Sequence, residues 1–242
     1  VPAHVAIIGL GPSCATFFEL TRRLGGVSAY CDEVWGLNAM GDVLRCHRIF
    51  HMDDLKVQEV RAVAKPDGNI AAMVRWLKTH PGPVYTSVVR EGYPGLVPFP
   101  LQDVLNRAGD KSNGGAPYFN STAAYAIAYA IHIGVQKISL FGLDYTLPNS
   151  HRAEQGRACC EFWLGIAAAR GIAISVPGDT SLMDACAPER ERLYGYDCVD
   201  VHLDTQDDGS VKVRMEARAD VPSAEEIEAR YDHKNHPNRL MR

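Results

Sequence analysis

Residues 5–24 read VAIIGLGPSCATFFELTRRL, and this stretch decides the fold. The apolar run 5–9 has the length and continuity of a strand buried on both faces, as in a parallel sheet. It ends in Gly9-Leu10-Gly11-Pro12-Ser13, where glycines turn tightly and Pro12 suits the first turn of a helix. Phe17, Phe18, Leu20 and Leu24 then fall at helical spacing, and Gly25-Gly26 stops the helix. Strand, glycine turn and helix in that order open a doubly wound α/β sheet.

The rest of the chain extends the pattern. Apolar runs at 33–37 (EVWGL), 48–51 (RIFH), 84–88, 137–142 (KISLFG) and 172–176 read as further strands. Residues 57–64, 70–79, 121–134 and 159–170 read as helices, the last closed by Gly171. Residues 92–100 and 110–117, rich in glycine, proline and polar residues, read as loops. From 188 onward the texture changes. Residues 198–203 and 210–216 form a hairpin around Asp207-Asp208-Gly209, and a short helix at 223–231 carries Ser223 and Glu226 in capping-box spacing. The expectation is a Rossmann-like, doubly wound, mostly parallel sheet, a single-domain GT-A-like variant spanning 1–187. A small hairpin-and-helix appendage at 188–242 follows it.

The composition is that of a globular domain: 242 residues, 46% hydrophobic, 22% charged, net charge −4. The negative charge argues against a broad nucleic-acid binder, which needs a basic surface. A local basic face is left to Arg214, Arg218, Arg230, Lys234, Arg239 and Arg242 or to plain solvation. The apolar run 123–133 is too short for a membrane span, and no charged segment precedes an apolar one at the start, so no secretory signal is expected. The seven cysteines (14, 31, 46, 159, 160, 186 and 198) include no CxxC pair, which points to reduced thiols and a cytoplasmic protein.

Six places can carry chemistry. The glycine turn (Gly9, Gly11, Pro12, Ser13) can seat a phosphate at a helix N-terminus or be only a tight turn. Cys14 occupies the third glycine position of GxGxxG, which excludes the NAD fingerprint. Asn38, at a strand's carboxyl end, can bond a sugar or base, or serve a turn. Asp53 and Asp54, after His51-Met52, can hold Mg²⁺ or cap the next helix. Asn120, Ser121 and Thr122 open a hydrophobic helix and can bind phosphate or cap it. Gly142, Asp144 and Tyr145 end a strand where a ligand belongs. His151, in an expected polar loop over 148–156, can act as a general base with Glu154 orienting it, or simply be solvated.

Taken together and in order, the GxGPS turn, the Asn38 strand and residues 119–145, FNSTAAYAIAYAIHIGVQKISLFGLDY, resemble the bacterial family-42 sialyltransferases. They also resemble the motility-accessory-factor and 6-hydroxymethylpterin pyrophosphokinase-like proteins, and a pattern found in phage proteins. The resemblance covers roughly residues 4–185. It implies a nucleotide held by Gly9, Gly11, Pro12, Ser13 and Asn38, with Ser121 at the helix start. It implies a catalytic histidine at His151, which stands ten residues before Glu161-Phe162 as the family's does. This chain departs from the family at Leu10 (an Asn there), Tyr118 (an Arg) and Thr146 (a Tyr).

The leading expectation is a glycosyltransferase taking a CMP- or UDP-type nucleotide sugar. His151 would take a proton from an acceptor hydroxyl, on a glycan or on a hydroxymethylated base of phage DNA. Mg²⁺ and oligomerisation stay open. The alternatives are a Mg²⁺-dependent pyrophosphokinase and a non-catalytic nucleotide-binding protein.

Overall fold

The computed structural model describes residues 1–108, 117–145, 150–187, 192–196, 198–218 and 223–229. Seven parallel strands form one sheet: β1 (His4–Ile8), β2 (Glu33–Leu37), β3 (Arg48–Phe50), β4 (Val84–Thr86), β5 (Leu96–Pro98), β6 (Lys137–Phe141) and β7 (Ala173–Ser175). Their order is β5-β4-β3-β2-β1-β6-β7. The chain works outward from β1 to one edge and then returns to the other side of β1. β1 is therefore flanked by β2 (Ile7↔Trp35) and by β6 (Ile7↔Leu140), and the order of strands reverses at the β1/β6 boundary. This is the Rossmann-like arrangement expected.

The sheet is buried on both faces, which is why its central strands are apolar throughout. One face meets α5 (Leu101–Ala108), α6 (Thr122–Ile133) and α7 (Ser150–Ala169). There Ile7, Trp35, Phe50 and Leu140 pack with Val104, Ile127, Ile131 and Leu164. The other face meets α1 (Cys14–Leu24), whose Phe17 packs with Ala6, Ile8, Val34 and Phe141. It also meets α3 (Leu55–Ala64) and α4 (Asn69–Leu77), through Leu55, Met73, Val74 and Leu77 against Ile49 and Val84. α2 (Met40–Val43) is a single turn after β2.

Eight of the 12 residues of α6 are buried, as befits a helix with packing on nearly every side. Its start is capped by Ser121 and its end by Gly134 in the left-handed conformation (φ 82°). The one polar intrusion into the α1 face is Ser139, and it is satisfied by His4 Nε2 at 2.8 Å and the Tyr30 hydroxyl at 3.0 Å.

One expectation fails here, and one element was not foreseen. Residues 92–100 are not only loop. Leu96–Pro98 is an edge strand, where proline is tolerated because its missing N–H faces away from the ladder. The helix Leu101–Ala108 had no expectation over it, because its apolar face is carried chiefly by Val104 and Ala108. The loop expected at 110–117 falls almost wholly outside the described residues.

The chain divides into two compact units, Val1–Cys186 and Ala187–Arg242. In the second, β8 (Val199–Thr205) and β9 (Val211–Ala217) pair antiparallel, with Val201 opposite Met215. Gly209 (φ 81°) makes the turn. In the six-residue helix α8 (Ala224–Ala229), Ser223 and Glu226 exchange the reciprocal bonds of a capping box. Of the arginines offered as a basic face, Arg214 pairs with Glu216 and Arg218 with Asp200. Arg230, Lys234, Arg239 and Arg242 lie outside the described residues.

Truncating Ile127, fully buried at the heart of α6, to alanine should cost about 2–5 kcal/mol in urea unfolding. Val63→Ala, at a side chain 80% exposed, should change stability by less than about 0.5 kcal/mol.

Candidate functional site

An open sheet binds ligands outside the carboxyl ends of its strands, where the order reverses and successive connections leave to opposite faces. The connection after β1 leaves to α1 on one face, and that after β6 leaves to α7 on the other. Between them lies a cleft of about 390 Å³. It is lined by Gly9, Leu10, Gly11 and Pro12, by Leu37 and Asn38 after β2, by Ser121, Thr122 and Ala123 at the start of α6, and by Gly142, Leu143, Asp144 and Tyr145. The structure thus brings together residues that the sequence scatters over 137 positions. Among the described residues the lining holds no lysine or arginine and one carboxylate, Asp144.

The glycine turn is held by that carboxylate. Asp144 Oδ2 accepts the N–H of Ser13 at 2.8 Å, and Ser13 Oγ accepts the N–H of Gly142 at 2.8 Å. Gly11 N–H donates to Gly142 O at 2.9 Å. Ser13 and Asp144 are 1% and 5% exposed. A Cβ on Gly11 would overlap Asp144 Oδ2 and come within 2.8 Å of Gly142 O. A Cβ on Gly9 would overlap Gly142 O. These glycines therefore admit the close crossing of the two strand ends. The N–H of Cys14 is likewise used, on Gly11 O. An internal anion occupies the N-terminus of α1, the place where other Rossmann-like sheets seat a phosphate.

Two acceptors in the lining are buried and lack a hydrogen-bond partner among the described residues: Asn38 Oδ1 and Asp144 Oδ1. Unpaired buried acceptors are costly, so both are poised for N–H or O–H donors. Asn38 holds a left-handed backbone (φ 52°), a conformation asparagine tolerates better than most residues. Its N–H is fixed by Phe50 O at 2.9 Å.

On the opposite wall the α6 N-terminus points its dipole at the cleft. Ser121 Oγ accepts the N–H of Ala123 at 3.3 Å and lies 3.3 Å from the Tyr145 hydroxyl. Tyr145 is also left-handed (φ 47°). Its loop is pinned from behind by Ser181, which donates to Asp144 O, and by Thr180, which donates to Leu143 O at 3.0 Å. Asn120 is not among the lining residues; its N–H bonds Cys159 Sγ at 3.2 Å.

His151 stands in the first turn of α7, not in a loop. That helix begins at Ser150 instead of 159, because Arg152, Ala153, Glu154, Gln155, Arg157 and Ala158 are good helix formers and the segment turns Ala153 and Gly156 to the buried side. The His151 ring is exposed and its Nε2 accepts from Gln155 Nε2 at 3.1 Å. Gln155, one helical turn on, is the partner that sequence reasoning missed; the expected orienter, Glu154, is exposed. Neither His151 nor Glu154 lines the cleft. Glu161, read only as a landmark, is structural: it pairs with Arg157 at 2.8 Å and accepts the Met183 N–H at 2.7 Å.

Asp53 and Asp54 make no metal centre. Asp54 caps α3, its Oδ1 accepting the Lys56 N–H at 2.8 Å. Among the described residues no three His, Cys, Asp or Glu side chains converge as metal ligands. A second hollow of about 530 Å³ lies beside the amino ends of β2 and β3. Its Asp32 is committed to the N–H groups of Ala3 and His4, and burial pushes its thiols Cys31 and Cys46 up to about 11 and about 12. Among the described residues no helix is long and apolar enough to cross a membrane.

No protein-family model and no curated protein matches the chain. Among solved structures it is similar to the sialyltransferase CstII from Campylobacter jejuni in complex with cytidine-5'-monophosphate, at 13% identity and a TM-score of 0.44. That match covers 94% of this chain and 96% of the other. CstII in complex with the substrate analogue CMP-3FNeuAc is similar at 14% identity and a TM-score of 0.40, over 73% and 81% of the two chains.

Removing the Asp144 carboxylate with Asp144→Ala would leave the buried Ser13 N–H unpaired. It should cost about 1–3 kcal/mol in chemical denaturation, while Asp144→Asn, which keeps an acceptor there, should cost less. His51 gives a pH prediction. It is wholly buried, and neither ring nitrogen has a partner among the described residues. Burial lowers its pKa against the opposing pull of Asp53. The unfolded chain's histidine takes its proton near pH 6.5 and the buried one only at lower pH. The contribution is therefore full above about 6.5 and is lost as pH falls through the folded value. His51→Leu should flatten that acid limb in denaturation measured from pH 7.5 to 5. Part of the slope should persist, since burial also lowers the pKa of His4 and His80.

Proposed function

We propose that the chain is a glycosyltransferase that takes its sugar from a nucleoside-monophosphate donor of the CMP type. The observation that carries this reading is the make-up of the switch-point cleft. One helix N-terminus with its Ser121 hydroxyl faces, across about 390 Å³, two buried acceptors that await donors. A helix terminus carries roughly half a positive charge and so matches the single charge of a phosphodiester. A nucleoside diphosphate brings more charge, and among the described residues the lining has no lysine or arginine to meet it. The Asp144 carboxylate further disfavours a second phosphate. The order of motifs shared with the family-42 sialyltransferases supports the same assignment.

In this reading the donor phosphate sits on the Thr122 side of Ser121, with the Tyr145 hydroxyl near it. Asn38 Oδ1 and Asp144 Oδ1 accept from the hydroxyls or amine of the nucleoside. His151 takes the proton of the acceptor hydroxyl as its oxygen bonds to the anomeric carbon, and the bond from that carbon to the phosphate oxygen breaks. The nucleoside monophosphate leaves with the bonding pair. For this the imidazole nitrogen held by Gln155 has to be released to the acceptor. We read the acceptor as a glycan rather than hydroxymethylated phage DNA, because the net charge is −4 and, among the described residues offered as a basic face, Arg214 and Arg218 are engaged in ion pairs with Glu216 and Asp200. A pyrophosphokinase would need carboxylates free to hold Mg²⁺ beside its phosphates. Among the described residues the cleft lining offers one carboxylate, Asp144, and one of its two oxygens is bonded to the Ser13 N–H; Asp53 and Asp54 are not in that lining.

Isothermal titration should show CMP binding more tightly than UDP or ATP, independent of Mg²⁺. Asn38→Ala and Ser121→Ala should each weaken CMP about tenfold, the loss of roughly one hydrogen bond to a charged or buried group. His151→Ala should leave CMP affinity near wild type and lower transfer from a CMP-sugar by about 10²-fold or more. Binding of UDP or ATP in preference to CMP would overturn the donor assignment, and unimpaired transfer by His151→Ala would overturn the base.

A further inference from the structure

The cysteine pair Cys159-Cys160 has no part in the reaction as read above, yet both thiols are fully buried at the anion end of the cleft. Adjacent side chains on a helix point about 100° apart, and these two reach different segments of the site. Cys159 Sγ accepts the Asn120 N–H at 3.2 Å and donates to Tyr118 O at 3.1 Å. It thereby fixes the backbone that leads into α6. Cys160 Sγ lies 2.7 Å from the Tyr145 hydroxyl, which in turn lies 3.3 Å from Ser121 Oγ. One turn earlier, Gly156 leaves room for the Tyr145 ring: a Cβ there would stand 2.9 Å from Cε1. α7 is thus shaped around Tyr145 at two consecutive turns, by an absent side chain and by a thiol.

We propose that Cys160 is a positioning residue, whose thiol holds the Tyr145 hydroxyl beside Ser121 so that both hydroxyls meet an anionic group seated at the amino end of α6. Ser121 Oγ already accepts from Ala123. With the thiol hydrogen given to the tyrosine oxygen, the phenol hydrogen is directed toward Ser121 and the cleft. Burial raises the Cys160 thiol to about 12 and raises the Tyr145 phenol as well. The chain of thiol and two hydroxyls is therefore a neutral set of donors at physiological pH, suited to an anion that has no cation beside it.

This assignment rests on the transferase reading only where it names the anion, and two measurements keep them apart. In protein labelled with ¹³Cζ-tyrosine, Tyr145→Phe identifies the Tyr145 signal. Cys160→Ala should move that signal and Cys160→Ser should return it toward the wild-type position, with circular dichroism unchanged in both. Titration with CMP should then show Cys160→Ala weakened about tenfold and Cys160→Ser within about threefold of wild type. If Cys160→Ala does not fold, Gly156→Ala serves in its place, since it displaces the ring from the other side and should move the same signal. A Tyr145 signal unmoved by these variants overturns the positioning role, as does CMP affinity equal in wild type and Cys160→Ala. A wild-type protein that binds no CMP overturns the transferase reading, while the tyrosine signal alone still decides whether Cys160 sets Tyr145.

Discussion

The carboxylate of Asp144, seated on the N–H of Ser13, joins the two strand ends between which the cleft opens. β1 and β6 are hydrogen-bonded neighbours, but their connections leave to opposite faces of the sheet, and nothing in the ladder fixes the loops beyond the last pair, Ile8 with Phe141. The Gly11 N–H on Gly142 O begins the crossing, and two side-chain bonds complete it. Asp144 Oδ2 takes the Ser13 N–H, and Ser13 Oγ takes the Gly142 N–H. Both groups are buried, so each bond matters mainly through the cost of leaving its partner unpaired. The conformations of Gly142 and Tyr145, and the direction of α1, follow from this crossing. Asn38, one step beyond the register that β2 shares with β3, is placed instead by its own N–H on Phe50 O.

That crossing changes what the glycine turn means. A GxG turn between a strand and a helix is commonly read as a cradle for phosphate, because the absent side chains let a backbone approach an anion. Here the same absence lets the backbone approach an anion of its own. Gly11 is closed to a Cβ by Asp144, and Gly9 by the carbonyl of Gly142. The turn shapes one wall of the cleft, whereas the free helix terminus is that of α6 on the opposite wall. A motif names a geometry, and the occupant of that geometry is set by a residue more than 130 positions away.

Much of this was legible in the sequence. The continuous apolar runs at β1, β2 and β6 and the all-round apolar helix α6 are direct consequences of burial on both sides, and they fix the class of fold. The capping roles of Ser121, Asp54 and Ser223 were readable because a cap depends on only a few neighbouring residues. What failed was of two kinds. β5 is only three residues long and α5 has one narrow buried face, so their local signal was lost beside the glycines and prolines of 92–100. His151 was placed in a loop because its segment is polar, yet a polar segment continues a helix when its other face is covered, as Ala153 and Gly156 are. The third partner of each site hydrogen bond was beyond reach altogether. Gln155, Cys160 and Ser181 are ordinary residues whose roles come from where the fold brings them.

The composition of the cleft also constrains any chemistry assigned to it. A site that binds an anion with a helix terminus and hydroxyl donors gains its affinity from directed bonds instead of net charge. Such donors stabilise a leaving phosphate only if they are already aimed at it, because a freely rotating hydroxyl must be ordered during the reaction. The supports behind Tyr145 answer that requirement. Thr180 and Ser181 hold the carbonyls of Leu143 and Asp144. The flat side of α7 at Gly156 lies against the ring, and Cys160 reaches its hydroxyl. Arg157 and Glu161 hold the segment that carries Thr180 and Ser181, through Asp184 and the N–H of Met183. Met183 and Asp184, both left-handed without being glycine, are a local strain of the kind that persists only where surrounding bonds dictate it. Arg157, Glu161 and Asp184 are therefore spent behind the site, on holding neutral donors in place, and among the described residues the lining of the cleft carries no lysine or arginine.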